Sequence, residues 1–292
     1  MFETIKPFIK WAGGKSQLLD IIREKYPKQI NKYCELFVGG GAVLLDILAN
    51  YSPKEVMIND INPELTNVYT QIRDNVSEVI TILAKMHEEF WNRDTDERKK
   101  YYLNARTRFN ELIRADVQTV EKAALFIFLN KTCFNGLYRV NSKGLYNVPM
   151  GSYKKPPICD EKNLRLVSKL IENVKINCGD YSQCEEFIDE NTFVYIDPPY
   201  RPLNETSSFN SYAKAEFGDE QQIELGRFIE KISDKGACIV ASNSDPKNTA
   251  EYDNFFDEIY HGFVINRIKA TRMINSKGSG RGSISELLIC NY

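Results

Sequence analysis

The sequence predicts an α/β fold: a doubly wound, mainly parallel sheet interrupted by an inserted helical module that carries a β-hairpin. Three observations predict it. Short apolar runs alternate with helical patterns at both ends of the chain. The middle, from Asn62 to about Lys131, shows helical periodicity and no convincing strand. Turn signals then close the middle before strand–helix alternation resumes.

The elements follow in order. Tyr33 to Val38 reads as a strand, Gly39-Gly40-Gly41 as a tight turn and Ala42 to Asn50 as a helix. Glu55 to Asp60 is a second strand, completing a β-α-β opening. Apolar residues then recur at helical spacing through Leu65, Val68, Ile72, Val79, Ile82, Leu83 and Met86, and again at Val120, Ala123, Ala124 and Ile127. Leu137 to Val148 has a hairpin pattern with Asn141 to Gly144 as its turn, and Lys154 to Pro157 marks a boundary. Val174–Cys178, Phe193–Ile196, Ala237–Ser242, Val264–Ile268 and Glu286–Cys290 are further strands, with an amphipathic helix over Gln221–Ile232. The economical division is one doubly wound sheet domain from 1–61 and 161–292, interrupted by an inserted helical module at 62–160.

Bulk properties bound the function. The 292 residues are 42% hydrophobic and 27% charged, a globular composition, with a net charge of −2. The charge is uneven. Lys122 to Lys155 holds six Lys or Arg and no acid, and Arg267 to Arg281 holds five and no acid. Two basic faces on an acidic protein are the expectation. Seven scattered cysteines predict reduced thiols in a cytoplasmic protein. Two histidines and no Cys-x-x-Cys argue against a zinc site, and no metal is expected. No run reaches the length of a membrane span, and Met1 to Lys10 is too short and polar for a signal peptide.

Asp197-Pro198-Pro199-Tyr200 is the most informative motif. It follows the buried strand at Phe193–Ile196, and open α/β sheets bind ligands at the carboxyl ends of their strands. Two prolines stiffen the backbone and remove two donors, leaving a carboxylate, free carbonyls and an aromatic face. That set suits a planar base held by its amino group, although a strand ending in a Pro-Pro turn with a surface tyrosine is the bland alternative. The Phe37–Gly41 turn between strand and helix suits a nucleotide, and Asp60, about twenty residues on, is placed to accept ribose hydroxyls. The dinucleotide fingerprint is incomplete, with Leu44 at the third glycine. A structural turn and an NAD site both remain open on these residues alone.

Three further segments carry chemistry. Lys10-Trp11-Ala12-Gly13-Gly14-Lys15-Ser16 imitates a P-loop, but Ile9 stands where its first glycine belongs. Asp180 ends another strand, where it serves either a cofactor amino group or as a helix cap. Phe134-Asn135-Gly136-Leu137-Tyr138-Arg139 combines an aromatic wedge, an amide and an arginine able to fork to guanine. The Gly/Ser-rich stretch Arg272 to Arg281 is either a phosphate-binding loop or a linker.

Together, in the order KWAGGK, FVGGGA, FNGLYRVNSKG and DPPY, these motifs resemble the Dam family of DNA adenine-N6 methyltransferases, GATC-specific methylases of restriction systems included. The resemblance covers nearly the whole chain. It implies a class I, Rossmann-like methyltransferase fold acting on double-stranded DNA. It implies S-adenosyl-L-methionine held by Trp11, Lys15, Phe37, Gly39, Gly41, Asp60, Asp180 and Asp197. It implies that Lys10, Phe134, Asn135, Leu137, Arg139 and Lys154 face DNA. Asp197 and the Pro198 carbonyl would accept the target amine, and Tyr200 would stack on the flipped base. A cognate endonuclease acting on the same site is a possible partner. One departure is Ser152, where relatives commonly carry Arg in a G-R-Y-K stretch, which removes a phosphate contact. The rival readings are a methyltransferase acting on RNA or protein glutamine, a DNA-binding protein without catalysis and, more distantly, an NAD oxidoreductase.

Overall fold

The computed structural model describes residues 5–201, 217–271 and 283–292. Seven strands form one sheet in the order β3-β2-β1-β4-β5-β7-β6. They are β1 (Lys32–Glu35), β2 (Glu55–Asp60), β3 (Lys175–Cys178), β4 (Thr192–Ile196), β5 (Cys238–Ser244), β6 (Val264–Thr271) and β7 (Ser283–Cys290). β1, β4 and β5 run parallel; β7 is antiparallel to both β5 and β6. The helices are α1 (Leu19–Arg23), α2 (Ala42–Asn50), α3 (Pro63–Asp74), α4 (Val76–Trp91), α5 (Thr95–Arg114), α6 (Val120–Thr132), α7 (Glu161–Leu170), α8 (Asp219–Asp234) and α9 (Phe255–Ile259). The α/β fold with a mainly parallel sheet and a helical insertion is thus present.

The described chain packs as two compact units. The first comprises residues up to Ser16, Val38–Ser52 and Ile58–Asp180. Its centre is α6, whose residues from Lys122 to Asn130 are buried on every side. Such a helix has no polar stripe, and it sits among α3, α4 and α5. Lys122 is the charged exception, 1% exposed, and it is paired with Glu64 at 3.2 Å. Side-chain caps start the surrounding helices: Asn62 for α3, the Asp94–Glu97 capping box for α5, Thr119 for α6 and Asp160 for α7.

The hairpin of this unit is short. Its turn is where the sequence puts it: Asn141 accepts from the amides of Lys143 and Leu145, and Gly144 takes φ 72°. Only single bridges join its arms, Val140 to Tyr146 and, further out, Cys133 to Met150. Two backbone bonds flank the first bridge, Asn141 N–H to the Leu145 carbonyl at 2.9 Å and Asn147 N–H to the Arg139 carbonyl at 3.1 Å, and the groups that face away from the other arm meet helix side chains. The Asn110 side chain takes both the N–H and the carbonyl of Tyr146, and Tyr102 OH takes the Val148 carbonyl. Helix side chains fill the role of a partner strand.

The second unit comprises Gln17–Phe37, Pro53–Met57 and Tyr181–Tyr292. Its core packs Cys34, Val194, Ile196, Ile239 and Leu287 from the strands against Leu225, Ile229 and Ile232 of α8. β4 is buried throughout, as the unbroken apolar run predicts for a central parallel strand. β1 ends at Glu35, three residues before the expected Val38, so Leu36 to Val38 already belong to the turn. Back in the first unit, α7, unremarked in the sequence, supplies the amphipathic return before β3.

Candidate active site

The glycine turn is built from both sides. Gly39 and Gly41 adopt φ 47° and 69°, the left-handed region that favours glycine. A Cβ on Gly39 would lie 2.8 Å from Trp11 Cδ1, one on Gly40 3.0 Å from Trp11 Cβ, and one on Gly41 2.4 Å from the Tyr69 hydroxyl. All three positions are therefore glycine because protein fills the space beside them. Tyr69 OH donates to the Gly39 carbonyl at 3.0 Å and locks the turn.

Asp60, at the end of β2, faces this turn. Its Oδ2 accepts from the Gly39 amide at 3.1 Å and its Oδ1 from the Asn62 amide at 3.0 Å. Burial raises its pKa to about 6, against the pull of the Asn62, Gly39 and Ile61 amides. The next strand is tied in by Gly179, which donates to the Asp60 carbonyl at 3.2 Å and accepts from Asn59 Nδ2 at 3.1 Å. This brings Asp180, exposed at the end of β3, beside Asp60. Lys15 is buried in a short 3-10 turn, its Nζ donating to the Gly13 carbonyl at 2.7 Å. With two acids at neighbouring strand ends and a locked glycine turn, the donor set fits an adenosine group with free ribose hydroxyls.

Lys10 and Trp11 join this turn to the expected DNA-facing loop. The Trp11 ring stacks on Tyr138 at 6.1 Å, and Tyr138 stacks on Phe126 at 5.3 Å. Tyr138 OH reaches Glu64 at 3.2 Å, inside the buried pair with Lys122. Phe134 is 52% exposed, Asn135 and Arg139 are exposed, and Leu137 is half-buried. Asn135 sits at φ 55°, so its amide projects from a left-handed bend. Arg139 is pre-aimed: its Nε donates to Asn147 Oδ1 at 2.8 Å, leaving both terminal nitrogens for a ligand. Lys10 is exposed with its Nζ 4.1 Å over the Tyr153 ring, and Lys154 is exposed beside it in sequence.

The second unit holds Phe37 and the Asp-Pro-Pro-Tyr tip. Phe37 packs against Tyr181 and Phe217, at 5.5 and 5.9 Å. At the tip, Pro198 is buried, Pro199 is exposed, and Asp197 and Tyr200 are half-buried. Tyr200 OH donates to Glu286 on β7 at 2.9 Å, and burial together with Asp197 and Glu286 pushes its pKa well up, so it stays a neutral ring. The Pro199 carbonyl accepts from Gln222 Nε2 at 2.9 Å. Gln222 Oε1 in turn accepts from Asn243 Nδ2 at 3.0 Å, and Asn243 Oδ1 from the Ser244 amide at 2.9 Å. Gln222 and Asn243 are buried, so this is a relay of amides with each group satisfied. Arg201, next in sequence, is gripped by Asp219 and Asp253 and lies 4.2 Å over Phe255.

The expected site residues thus fall into two sets. Lys10, Trp11, Lys15, Gly39, Gly41, Asp60, Asp180, the Phe134–Arg139 loop and Lys154 belong to the first unit; Phe37, Asp197, Pro198 and Tyr200 belong to the second. The Arg272–Arg281 stretch lies outside the described residues. Sequence reasoning missed Tyr69, Asn130, Asn147, Gln222 and Glu286. A signal existed for two of them. Gln222 shares a helix face with Leu225 and Ile229, and Asn130 interrupts the apolar run Ala123–Leu129.

Known proteins agree with the geometry. Residues 11–274 match the family of D12 class N6 adenine-specific DNA methyltransferases. The chain belongs to that family. It is an adenine-specific DNA methyltransferase, and its strand order suits the class I methyltransferase fold. The methyltransferase is 49% identical over 295 residues to the type II methyltransferase M.MjaIII of Methanocaldococcus jannaschii, covering 99% of each chain. It is 37% identical to the type II methyltransferase M1.LlaDCHI of Lactococcus lactis subsp. cremoris, over 99% of this chain and 96% of the other. The DNA adenine methylase of Haemophilus influenzae is 35% identical, over 97% and 92%. Among the described residues no group of His, Cys, Asp and Glu could hold a metal ion, and no helix is long and apolar enough to cross a membrane.

The amide relay gives a stability prediction. Gln222→Ala strands the buried Asn243 amide donor, an unsatisfied group worth about 1–3 kcal/mol. A thermal melt should show Tm lowered by at least roughly 2–4 °C, using the scale for domains of comparable size. An unchanged Tm would mean that water replaces the glutamine and that the relay is not structural.

Proposed function

We propose that this enzyme methylates N6 of adenine in duplex DNA at GATC, on a base turned out of the helix, with S-adenosyl-L-methionine as methyl donor. The observation that carries the reading is the Lys10–Trp11 segment. One residue packs on the glycine turn while its neighbour sits at the base-reading loop, so cofactor and sequence recognition share one rigid piece of chain. The relatives named DNA adenine methylase and type II methyltransferase support the same reaction. The type II names also support an endonuclease sharing the site. An RNA or protein substrate is disfavoured by the exposed arginine–aromatic loop.

The cofactor supplies an electrophilic methyl group on a sulfonium. In the first unit Asp60 would hold its ribose hydroxyls, Asp180 its adenine amine, and Trp11, Lys15 and the Gly39–Gly41 turn the rest. Adenine's amine is a poor nucleophile because its lone pair is delocalised into the ring. Asp197 and the Pro198 carbonyl accept its two N–H bonds, which favours a tetrahedral nitrogen with an available lone pair. Gln222 already occupies the Pro199 carbonyl, which leaves the Pro198 carbonyl for the substrate. Tyr200, oriented by Glu286, stacks on the base. Catalysis is positioning and electrostatics, without a covalent enzyme intermediate. Residues 62–160 act as the target-recognition module, with Lys10, Phe134, Asn135, Leu137 and Arg139 on bases or between them and Lys154 on phosphate.

A plasmid methylated in vitro should resist an endonuclease blocked by methyl-GATC and be cut by one that requires it. Adenine methylation that leaves GATC untouched would refute the site. Asp197→Ala should abolish single-turnover transfer, and Asp197→Asn should retain some, since its amide oxygen still accepts one bond. An alanine variant within a few-fold of wild type would remove Asp197 from the chemistry.

Affinity for S-adenosylhomocysteine should depend on pH through Asp60. Its carboxylate must be ionised to accept two hydroxyls, and the free enzyme protonates it at about 6. Protonation competes with binding, so affinity holds above that value and falls as pH drops through it. Asp60→Ala should lose on the order of 1.5–3 kcal/mol per bond and the pH response with it. Calorimetry from pH 5 to 8 makes the measurement, and a flat wild-type profile would take Asp60 off the ribose.

Arg139→Ala should relax sequence choice. A forked arginine–guanine pair is worth about 1–3 kcal/mol of discrimination, whereas a phosphate contact weakens every site alike. The comparison is kcat/KM on GATC against sites altered at a guanine. Equal losses on all of them would put Arg139 on the backbone.

A further inference from the structure

Lys10 and the Phe134–Arg139 loop are far apart in sequence, yet one buried side chain binds both. Asn130 lies in the last turn of α6 and is 4% exposed. Its Oδ1 accepts from the Lys10 amide at 2.8 Å, and its Nδ2 donates to the Lys10 carbonyl at 2.8 Å and to the Gly136 carbonyl at 2.9 Å. One acceptor and both donors are used, so the amide has one orientation. The seam between the segments is tight as well. Gly136 adopts φ 65°, and a Cβ there would lie 2.5 Å from Lys10 Cβ. Cys133 and Tyr146 hold the adjoining Leu137 carbonyl at 3.3 and 3.2 Å, so the loop is fixed on its other side too.

None of these groups is free to touch DNA through Asn130 itself, because its amide is spent inside the protein. Its effect is on register. Lys10 on one segment, and Asn135, Leu137 and Arg139 on the other, can read neighbouring bases only if their backbones keep a fixed offset. A fork of hydrogen bonds to a base edge tolerates little displacement. We propose that Asn130 is a positioning residue for sequence choice, joining two base-reading segments into one reader. This rests on the reading that Lys10 and the loop face DNA.

The test measures kcat/KM on duplexes carrying the enzyme's methylation site and on the same duplexes altered at one guanine. Asn130→Ala should lower the ratio between them about tenfold or more, the scale of one base-edge contact. S-adenosylhomocysteine affinity should stay within a few-fold. Gly136→Ala forces the same seam apart without touching Asn130 and should give the same loss, which decides the matter if Asn130→Ala fails to fold. Ile127→Ala, a buried truncation on the same helix, controls for lost stability and should leave the ratio unchanged. A ratio unchanged in Asn130→Ala or Gly136→Ala, while Lys10→Ala or Arg139→Ala shifts it, overturns the proposal and spares the base readers. If neither Lys10→Ala nor Arg139→Ala shifts it, the base-reader assignment itself fails and takes the clasp with it. A ratio that falls equally in Ile127→Ala reduces Asn130 to a stability role and also overturns it.

Discussion

A backbone segment without a partner strand must still satisfy its N–H and C=O groups, and the first unit meets that requirement with asparagine side chains. Asn163 takes the amide and carbonyl of Lys6, Asn130 those of Lys10, and Asn110 those of Tyr146. Each amide presents one acceptor and one donor to the same residue, as a neighbouring strand would. The device lets an extended, irregular segment lie on a helical surface at a fixed register. The pose of Lys10 against the loop depends on it.

That constraint explains what was legible in the sequence. Backbone-level features were: α2 and β2 have the bounds that periodicity gives, and the acids at 60, 180 and 197 stand at strand ends. So was the Asn141–Gly144 turn, because asparagine and glycine fix local dihedrals by themselves. The groups that meet the hairpin's outer edge were not. Tyr146 alternates as a strand residue should, but the side chain that meets its outward N–H and carbonyl is Asn110, thirty-six residues away, and no local pattern announces it. Partner choice by buried amides is a tertiary property, and the same limit hid Tyr69, Gln222 and Glu286 from a reading confined to motifs.

The glycine turn shows how a motif can be right in place and incomplete in cause. Glycine after a strand is read as room for a ligand. Here Trp11 and Tyr69 occupy the side-chain space at all three positions. The turn is thus a packing joint as well as the proposed binding surface. Asp60 has the same double character. It accepts from the Gly39 and Asn62 amides, which hold the turn and start α3, and it still keeps a half-buried carboxylate with a raised pKa. A charge kept at such a place opposes folding more as pH rises from the ordinary carboxylate range to about 6, and equally above it. A purely structural acceptor would not need the charge, and a neutral amide or hydroxyl would be cheaper to bury.

The Asp-Pro-Pro-Tyr tip answers the same demand by different means. Its prolines cannot donate, so order there comes from groups that approach its carbonyl and its ring. Gln222 fixes the Pro199 carbonyl and Glu286 the Tyr200 hydroxyl, while Arg201 is pinned by two acids and a phenylalanine face. In both units, then, the groups proposed to carry the chemistry project from backbone whose freedom has been removed by buried polar side chains outside the motifs. Entropy that a loose loop would lose on meeting its substrate has been lost already on folding. The loop with exposed Phe134 and Arg139, which we propose as the base reader, would therefore be open to solvent at its side chains and still meet a base edge with little left to order.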